Sequence, residues 1–380
     1  MHTLRLAALL PLALGLLTGC QSTAPSAKPP TGTNAAATPA PASTQASAPT
    51  SAANPSRPLI AVVDDRTPST LRLITLDGRE VAHTSIPGPA SFSGVGGDMA
   101  TFVANGQLKG LRPDGAVVTL GTLRGFDVTR VTISPDGQQW LWAISSQSGG
   151  QLTSKLLLGS KADPKRPVAD LTAGTEPRVL RPYRWEAAGP VYQSSATGLG
   201  GYILFDGTTG PSWRLDPVSG RSTSILDGTT CTIGDLAPDG TIACFRHGDT
   251  TALEVLSPGG HVVEMPLTRP AFFHYGAISF KPAAEATTLV LGGATGVGAA
   301  GAEEQYQTYL VDARMRTLKP FGPAGLRPGD GSWTWLSDGS LIAYRPVGAA
   351  GGDPGIYRIS KAGWAKKVSA SGIPIGVLNG

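Results

Sequence analysis

The 380-residue sequence predicts an all-β fold, and three observations support this. Short alternating or β-branched runs continue from Pro58 onward without a convincing helical periodicity. Gly (50) and Pro (32) exceed a fifth of the chain while 41% of residues are hydrophobic, which favours many turns between short strands. A tight-turn motif also recurs along the same region.

The recurring turns follow the pattern x-Pro-Asp-Gly or a variant of it. Pro presets the first turn residue, Asp is tolerated at the second, and Gly takes the left-handed conformation that returns the strand. The turns are Leu76-Asp77-Gly78, Arg112-Pro113-Asp114-Gly115, Ser134-Pro135-Asp136-Gly137, Ala237-Pro238-Asp239-Gly240, Ser257-Pro258-Gly259-Gly260 and Ser337-Asp338-Gly339.

A longer period groups the strands into repeats of four. One strand of each repeat is predicted to start near Leu59, Met99, Gln139, Pro190, Thr241, Thr287 and Ser340, at steps of 40 to 53 residues. Four strands in such a length are typical of a propeller blade. Residues 58–380 are therefore predicted to form one β-propeller, with seven four-stranded blades. We expect the spare strand at residues 373–378 to complete the first blade, which closes the ring.

Two hairpins, residues 133–142 and 236–243, carry the turn motif in its clearest form. They read apolar-Ser/Ala-Pro-Asp-Gly followed by an apolar strand, and they resemble TolB-like (PD40, WD40-like) propeller repeats. The resemblance implies the propeller fold. The helical N-terminal domain of TolB has no counterpart here, so the resemblance implies nothing about partners.

Residues 1–19 are interpreted as a lipoprotein signal peptide. Arg5 gives a positive start, and the apolar run 6–17 is too short to span a bilayer core of roughly 30 Å. Leu17-Thr18-Gly19-Cys20 resembles the bacterial lipobox, which implies cleavage before Cys20 and a diacylglyceryl group on its thiol. The resemblance thus implies a lipid-anchored protein on the extracytoplasmic side of the cell envelope. The alternative is an ordinary secretory signal that ends near a cysteine.

Residues 20–57 are predicted to be a disordered tether behind that cysteine. Of residues 21–57, 30 are Ala, Pro, Ser or Thr, and this composition cannot bury enough apolar surface to offset the entropy of ordering. The remaining cysteines, Cys231 and Cys244, form an even pair in an oxidising compartment. The expected register places Cys244 nearer Gly234 than Cys231, so a disulfide and two packed thiols both stay open.

Catalytic and cofactor motifs are absent from the sequence, and we predict no catalytic residue, metal or cofactor. Gly296, Gly298 and Gly301 match a dinucleotide-binding spacing, but residues 306–312 follow as a strand instead of a helix. The net charge of +4 is dispersed, which does not predict a nucleic-acid partner, and we expect a monomer. Most of the seven tryptophans are expected to pack between blades.

Recognition residues are expected on the loops that lead into the innermost strands. The candidates are Phe126, Asp127, Arg181, Arg184, Asp235, His274, Tyr275 and Trp333. Ordinary loop composition is the alternative explanation. The favoured function is a non-enzymatic binding or scaffold module for a protein or another envelope ligand. The alternatives are an envelope hydrolase or lyase, and a small-ligand or sugar binder that uses the central channel. Carboxylates converging there with shifted pKa values would favour the enzyme.

Overall fold

The computed structural model describes most of the chain from residue 58 onward. The described residues are 58–64, 69–86, 90–123, 130–148, 151–163, 166–172, 178–196, 210–246, 251–268, 271–272, 274–282, 287–295, 305–328, 335–347, 349 and 352–378. They contain strands and turns without a helix, so no helix in this part of the chain could cross a membrane. The interpreted signal peptide and tether lie outside them.

The strands form seven four-stranded antiparallel sheets, which confirms the predicted seven-bladed propeller. Blade 1 contains β1 (Leu59–Asp64), β2 (Ser69–Thr75), β3 (Glu80–Ile86) and the last strand, β28 (Ile373–Leu378). Blade 2 contains β4 (Ala90–Gly96), β5 (Met99–Ala104), β6 (Gln107–Leu111) and β7 (Val117–Thr122). Blade 3 contains β8 (Val131–Ile133), β9 (Gln139–Ser148), β10 (Gln151–Ser160) and β11 (Arg166–Thr172).

The remaining blades follow the same order from the innermost to the outermost strand. Blade 4 contains β12 (Arg178–Glu186), β13 (Gly189–Ala196), β14 (Ser212–Leu215) and β15 (Ser222–Leu226). Blade 5 contains β16 (Cys231–Leu236), β17 (Ile242–Arg246), β18 (Ala252–Leu256) and β19 (Val262–Pro266). Blade 6 contains β20 (His274–Phe280), β21 (Thr288–Thr295), β22 (Gln305–Asp312) and β23 (Thr317–Pro320). Blade 7 contains β24 (Arg327–Pro328), β25 (Leu341–Arg345), β26 (Gly355–Ile359) and β27 (Ala365–Ser369).

The ring closes through the first and last strands in chain order. Strand β28 is the innermost strand of blade 1 and pairs antiparallel with β1, so that Leu59 lies opposite Leu378. This confirms the predicted closure. The pairing gives β1 a neighbouring strand on both sides, so blade 1 has four strands like each of the other blades.

Antiparallel pairing within each blade sorts the connections onto two faces. We call the loop face the side with the loops that lead into the innermost strands and those between strands two and three. The turn face carries the turns between strands one and two and between strands three and four. The Pro-Asp-Gly turns lie on the turn face, and Gly137 and Gly240 there have φ values of 68° and 88°, as the left-handed position requires. Residue 58 also lies at this face, because Leu59 pairs with Thr75 just before a turn.

Apolar clusters fill the spaces between neighbouring blades, but not equally. The cluster between blades 5 and 6 includes sixteen buried residues, whereas the one between blades 4 and 5 includes three among the described residues, Val191, Ile233 and Leu236. Most tryptophans pack between blades as predicted; Trp140 and Trp142, for example, are fully buried between blades 2 and 3. Among the tryptophans that the structure describes, Trp364 is the exception, since its side chain is 80% exposed.

Candidate functional site

The weakly packed boundary between blades 4 and 5 is bridged by an ionic network. Arg184, near the end of β12, pairs with Asp235 of β16 through Nη1. On its other side Arg184 donates to Oε1 of Glu186 through Nη2 and, at 2.7 Å, through Nε. Glu186 also accepts from Nη2 of Arg214 at 3.2 Å. The network therefore supplies at this boundary some of the cohesion that apolar packing supplies between blades 5 and 6.

Two β-bulges place Arg184 and Asp235 opposite each other. The registers of β12 with β13 and of β16 with β17 shift at Tyr183 and Gly234, so each of these residues is the extra residue of a bulge. The Tyr183 hydroxyl donates to the Gly234 carbonyl and so joins the two bulges. Gly234 is required there, because a Cβ would lie 2.5 Å from Cγ2 of Ile278. A bulge redirects the following side chain, and here it aims each charged group at the neighbouring blade.

Asp235 is held by blades 4 and 6 at once. Its Oδ1 pairs with Arg184, its Oδ2 accepts from the backbone amide of Phe280 at 2.6 Å, and its side chain is only 2% exposed. Burial raises the pKa of Asp235 to about 6, although the Arg184 guanidinium and the Phe280 amide act in the opposite direction. For Arg184, burial lowers the pKa, but attraction to Asp235 and Glu186 outweighs it and leaves the pKa raised.

A cleft of about 400 Å³ opens beside this network on the turn face. Its apolar wall includes Trp185, Pro238 and Pro282, and Arg214 and Lys281 also line it. Since Arg184 faces two carboxylates, Arg214 and Lys281 are the cations with spare donors on the cleft wall. The buried Nε of Arg214 has no hydrogen-bond partner among the described residues.

The structure separates the residues predicted for the ligand face. His274 and Tyr275 begin β20 at the loop face, and the Tyr275 ring lies 4.8 Å from that of Phe245, where burial raises the pKa of Tyr275. Arg181 lies in the middle of β12, and burial, with repulsion from Arg130, lowers its pKa. Phe126, Asp127 and Trp333 lie outside the described residues, as does Cys20.

Arg184 and Asp235 lie elsewhere than the sequence suggested. Both were expected where the chain leads into an innermost strand, but they lie near the ends of β12 and β16, beside the turn face. The reason is the length of the strands, since β12 already begins at Arg178 and β16 at Cys231. Glu186, Arg214 and Lys281 also line the cleft and were not predicted from the sequence. The alternation of Arg184 and Glu186 about Trp185 was the available signal, because residues two apart share one face of a strand.

A disulfide joins Cys231 to Cys244 across β16 and β17, with the two Cα atoms 5.7 Å apart. Cys244 lies opposite Ile233 and Cys231 lies opposite Arg246, so the bond is diagonal, and the bulge at Gly234 explains the one-residue difference from the expected register. Glu254 lies close to both sulfurs. In the disulfide the sulfurs are not thiolates, which is the form of cysteine that binds metals.

Similar solved structures support the propeller fold. No protein-family model and no curated protein matches the chain, so the likeness to TolB-like repeats stays a prediction from the turn pattern. Among solved structures, an oligogalacturonate lyase from Vibrio parahaemolyticus is similar with a TM-score of 0.51 and 13% identity, over 80% of this chain and 87% of that one.

Two further solved structures match the chain over a smaller share of their own length. The acylaminoacyl peptidase of Pyrococcus horikoshii has a TM-score of 0.52 and 8% identity, over 82% of this chain and 50% of that one. A puromycin hydrolase variant has a TM-score of 0.51 and 16% identity, over 83% and 54%. The chain therefore spans about half of these two enzymes, and at such identities the likeness shows the propeller fold alone.

Proposed function

We propose that this chain is a lipid-anchored propeller of the cell envelope that binds a ligand without transforming it, and that the cleft between blades 4 and 5 is the binding site. The observation that carries the proposal is the Arg214 guanidinium, which lines a cleft of about 400 Å³ and has one carboxylate, Glu186, beside it among the described residues. The Arg214 side chain is 32% exposed, so an acceptor bound in the cleft can reach its guanidinium and form a charge-assisted hydrogen bond. The cleft is also within the size range of ligand pockets.

The lining indicates the chemical class of the ligand. Arg214 and Lys281 favour a carboxylate, while Trp185, Pro238 and Pro282 favour an apolar body or the face of a sugar ring. A protein partner would satisfy the same chemistry by inserting a side-chain or C-terminal carboxylate. We therefore place both a small envelope ligand and the exposed end of a protein within the proposed class.

Calorimetric titration of the full chain tests this site. The probes are a galacturonate trisaccharide and N-acetylphenylalanine, each compared with its neutral ester or amide. We expect at least one acid to bind, its neutral derivative to bind much more weakly, and Arg214→Gln to weaken the acid at least tenfold. Arg221→Gln removes an exposed cation of the same blade and serves as the matched control. Equal affinity of Arg214→Gln and the wild type would contradict the proposal.

The second candidate is an envelope hydrolase or lyase, and one observation favours it. Two carboxylates, Glu186 and Asp235, converge beside the cleft, and the pKa of Asp235 is raised, as in many acid–base catalysts. Both oxygens of Asp235 are already engaged, however, and the side chain is almost fully buried. A general base needs a lone pair within reach of the substrate, so this geometry favours binding over catalysis.

Anchoring through Cys20 is the second part of the proposal, and it rests on the lipobox-like Leu17-Thr18-Gly19-Cys20. Replacement of Cys20 by Ser removes the acylated thiol, so the protein should leave the membrane fraction with its melting curve unchanged. Metabolic labelling with a radioactive fatty acid gives an independent readout. Label retained by Cys20→Ser would contradict the assignment.

A further inference from the structure

The exposed apolar side chains of the propeller share a position in the fold. Six large hydrophobic side chains are exposed among the described residues. Five of them lie in, or directly after, a turn between strands three and four: Val117, Val218, Val262, Met315 and Trp364. The sixth, Val347, lies on the loop face. Isolated exposed hydrophobics are common, but their concentration in one class of turn points to a surface that meets something apolar.

The turns of blades 6 and 7 add positive charge to these apolar tips. Residues 313–316 and 360–366 contain four cations and no Asp or Glu. Together with the two most exposed tips of these turns they form what we call the tip patch: Arg314, Met315, Arg316, Lys361, Trp364 and Lys366, all of them exposed. The ion pairs in blade 7 use other side chains, Arg358 with Asp338 and Lys367 with Asp353.

The tips are held in fixed turns. The amide of Met315 donates to Oδ1 of Asp312 at 2.9 Å, and the amide of Trp364 donates to Oγ of Ser360 at 3.1 Å. A tryptophan kept 80% exposed on an ordered turn keeps its apolar surface in water, although most tryptophans of this chain are buried. This ordering lowers the entropy lost when the tips meet a partner.

The occupant that fits is an anionic lipid surface. Tryptophan prefers the interface of a bilayer, and basic side chains are attracted to anionic headgroups. The chain also leads toward this surface: residue 58 lies at the turn face, and the adjoining turn of blade 1 contacts blade 7, since a Cβ on Gly78 would meet the Val368 carbonyl. Residue 58, which the 57 residues with the lipobox-like Cys20 precede, therefore lies on the same face of the propeller as Trp364.

We propose that the tip patch docks the propeller on an anionic membrane, with Trp364 and Met315 at the headgroup level and the four cations against lipid phosphates. The turn face is then turned toward the bilayer. The proposal does not depend on ligand binding in the cleft. It gives the domain a fixed orientation at the membrane, which a lipid anchor at Cys20 alone does not.

Co-sedimentation with vesicles tests the docking. The full chain carries Cys20→Ser in every sample, so that acyl chains do not dominate. Vesicles of phosphatidylcholine with 30% phosphatidylglycerol are compared with pure phosphatidylcholine at low and high salt. Each cation near an anionic surface strengthens binding by about fivefold, so joint replacement of Arg314, Arg316, Lys361 and Lys366 by Gln should weaken it by more than a hundredfold. The matched control replaces Arg130 and Lys155, two exposed cations that lie outside the turns of the turn face, by Gln, and is compared with joint replacement of Lys361 and Lys366 by Gln.

Tryptophan fluorescence gives a second readout, because a general charge effect would leave the emission of Trp364 unchanged. We expect anionic vesicles to shift the emission to shorter wavelength, brominated lipids to quench it, and Trp364→Phe to abolish both responses. Equal binding to both kinds of vesicle, or equal weakening by the two double variants, would overturn the proposal. So would a blue shift that persists in Trp364→Phe. Concentration-dependent self-association that requires Trp364 would assign the patch to a second copy of the chain instead.

Discussion

The cleft between blades 4 and 5 and the tip patch of blades 6 and 7 both concentrate charged side chains, but only the cleft contains buried ion pairs. In the cleft network Arg184 pairs with Asp235 and Glu186, and these three side chains are only 2–11% exposed. In the tip patch four exposed cations accompany an exposed tryptophan, and the one acidic residue beside these turns, Asp312, accepts a backbone hydrogen bond from Met315. Paired buried charges fix the position of neighbouring blades, whereas unpaired exposed charges contribute little to the fold and are available to a partner.

The largest expected effect concerns the ring on which both regions depend. Deletion of residues 371–380 removes β28, so β1 loses one of its two neighbours and blade 1 exposes an unpaired edge. We expect the domain to unfold or aggregate, with loss of the cooperative melting transition seen by circular dichroism. A deleted chain that melts like the wild type would show that the closing strand is dispensable.

Substitution of Asp235 distinguishes the two regions by stability. Asp235→Ala leaves Arg184 with Glu186 alone and leaves the Phe280 amide without its acceptor, so we expect a loss of about 3–5 kcal/mol in the free energy of unfolding. Asp235→Asn keeps an oxygen for that amide and should cost less. Denaturant titration of both variants measures the difference, and equal stability of Asp235→Ala and the wild type would argue against a structural role for the network.

The pH dependence of stability should come from the cleft. The pKa of Asp235 rises from 3.8 to about 6 on folding, so the folded state binds more protons than the unfolded state between these values. The free energy of unfolding should therefore increase as the pH falls from 6 to 4, by up to about 3 kcal/mol. The turn aspartates, such as Asp136 and Asp338, have lowered pKa values and act below this window. Asp235→Asn should abolish the increase; a variant that retains it would assign it to another group.

The smallest expected effect on stability is at the tips. Trp364→Ala removes an exposed side chain without a packing role, so the free energy of unfolding should change by no more than about 0.5 kcal/mol. Equilibrium unfolding in urea is sufficient to test this. A loss of several kcal/mol would show that Trp364 packs in the folded protein, and the contrast between the two regions would fail.

The architecture could be predicted because its determinants are local. The turns place Gly where a left-handed residue is needed, and the repeat predicts the second strand of each blade within a residue or two, as at Leu59, Met99 and Gln139. The closing strand followed from counting strands in the first and last repeats. These signals depend on neighbouring residues and on a regular period, which a single sequence displays directly.

The cleft could not be predicted in this way, because Arg184 and Asp235 are 51 residues apart and meet only through two bulges. Neither Tyr183 nor Gly234 shows from its sequence context that the register shifts there. The exposure of Trp364 could not be predicted either, because the local sequence Ala362-Gly363-Trp364 is compatible with a packed side chain and with an exposed one. Only the neighbouring blade decides between the two.

Ring closure also sets the order of events when the protein is made. Strand β28 is the last strand in chain order and β1 the first, so blade 1 stays incomplete until every other blade has been synthesised. A ribosome that stops early releases a chain whose first sheet has no inner strand, however many later blades it contains. The pairing of β1 with β28 therefore forms only in a chain that extends to Leu378, and a shorter chain leaves one edge of blade 1 unpaired.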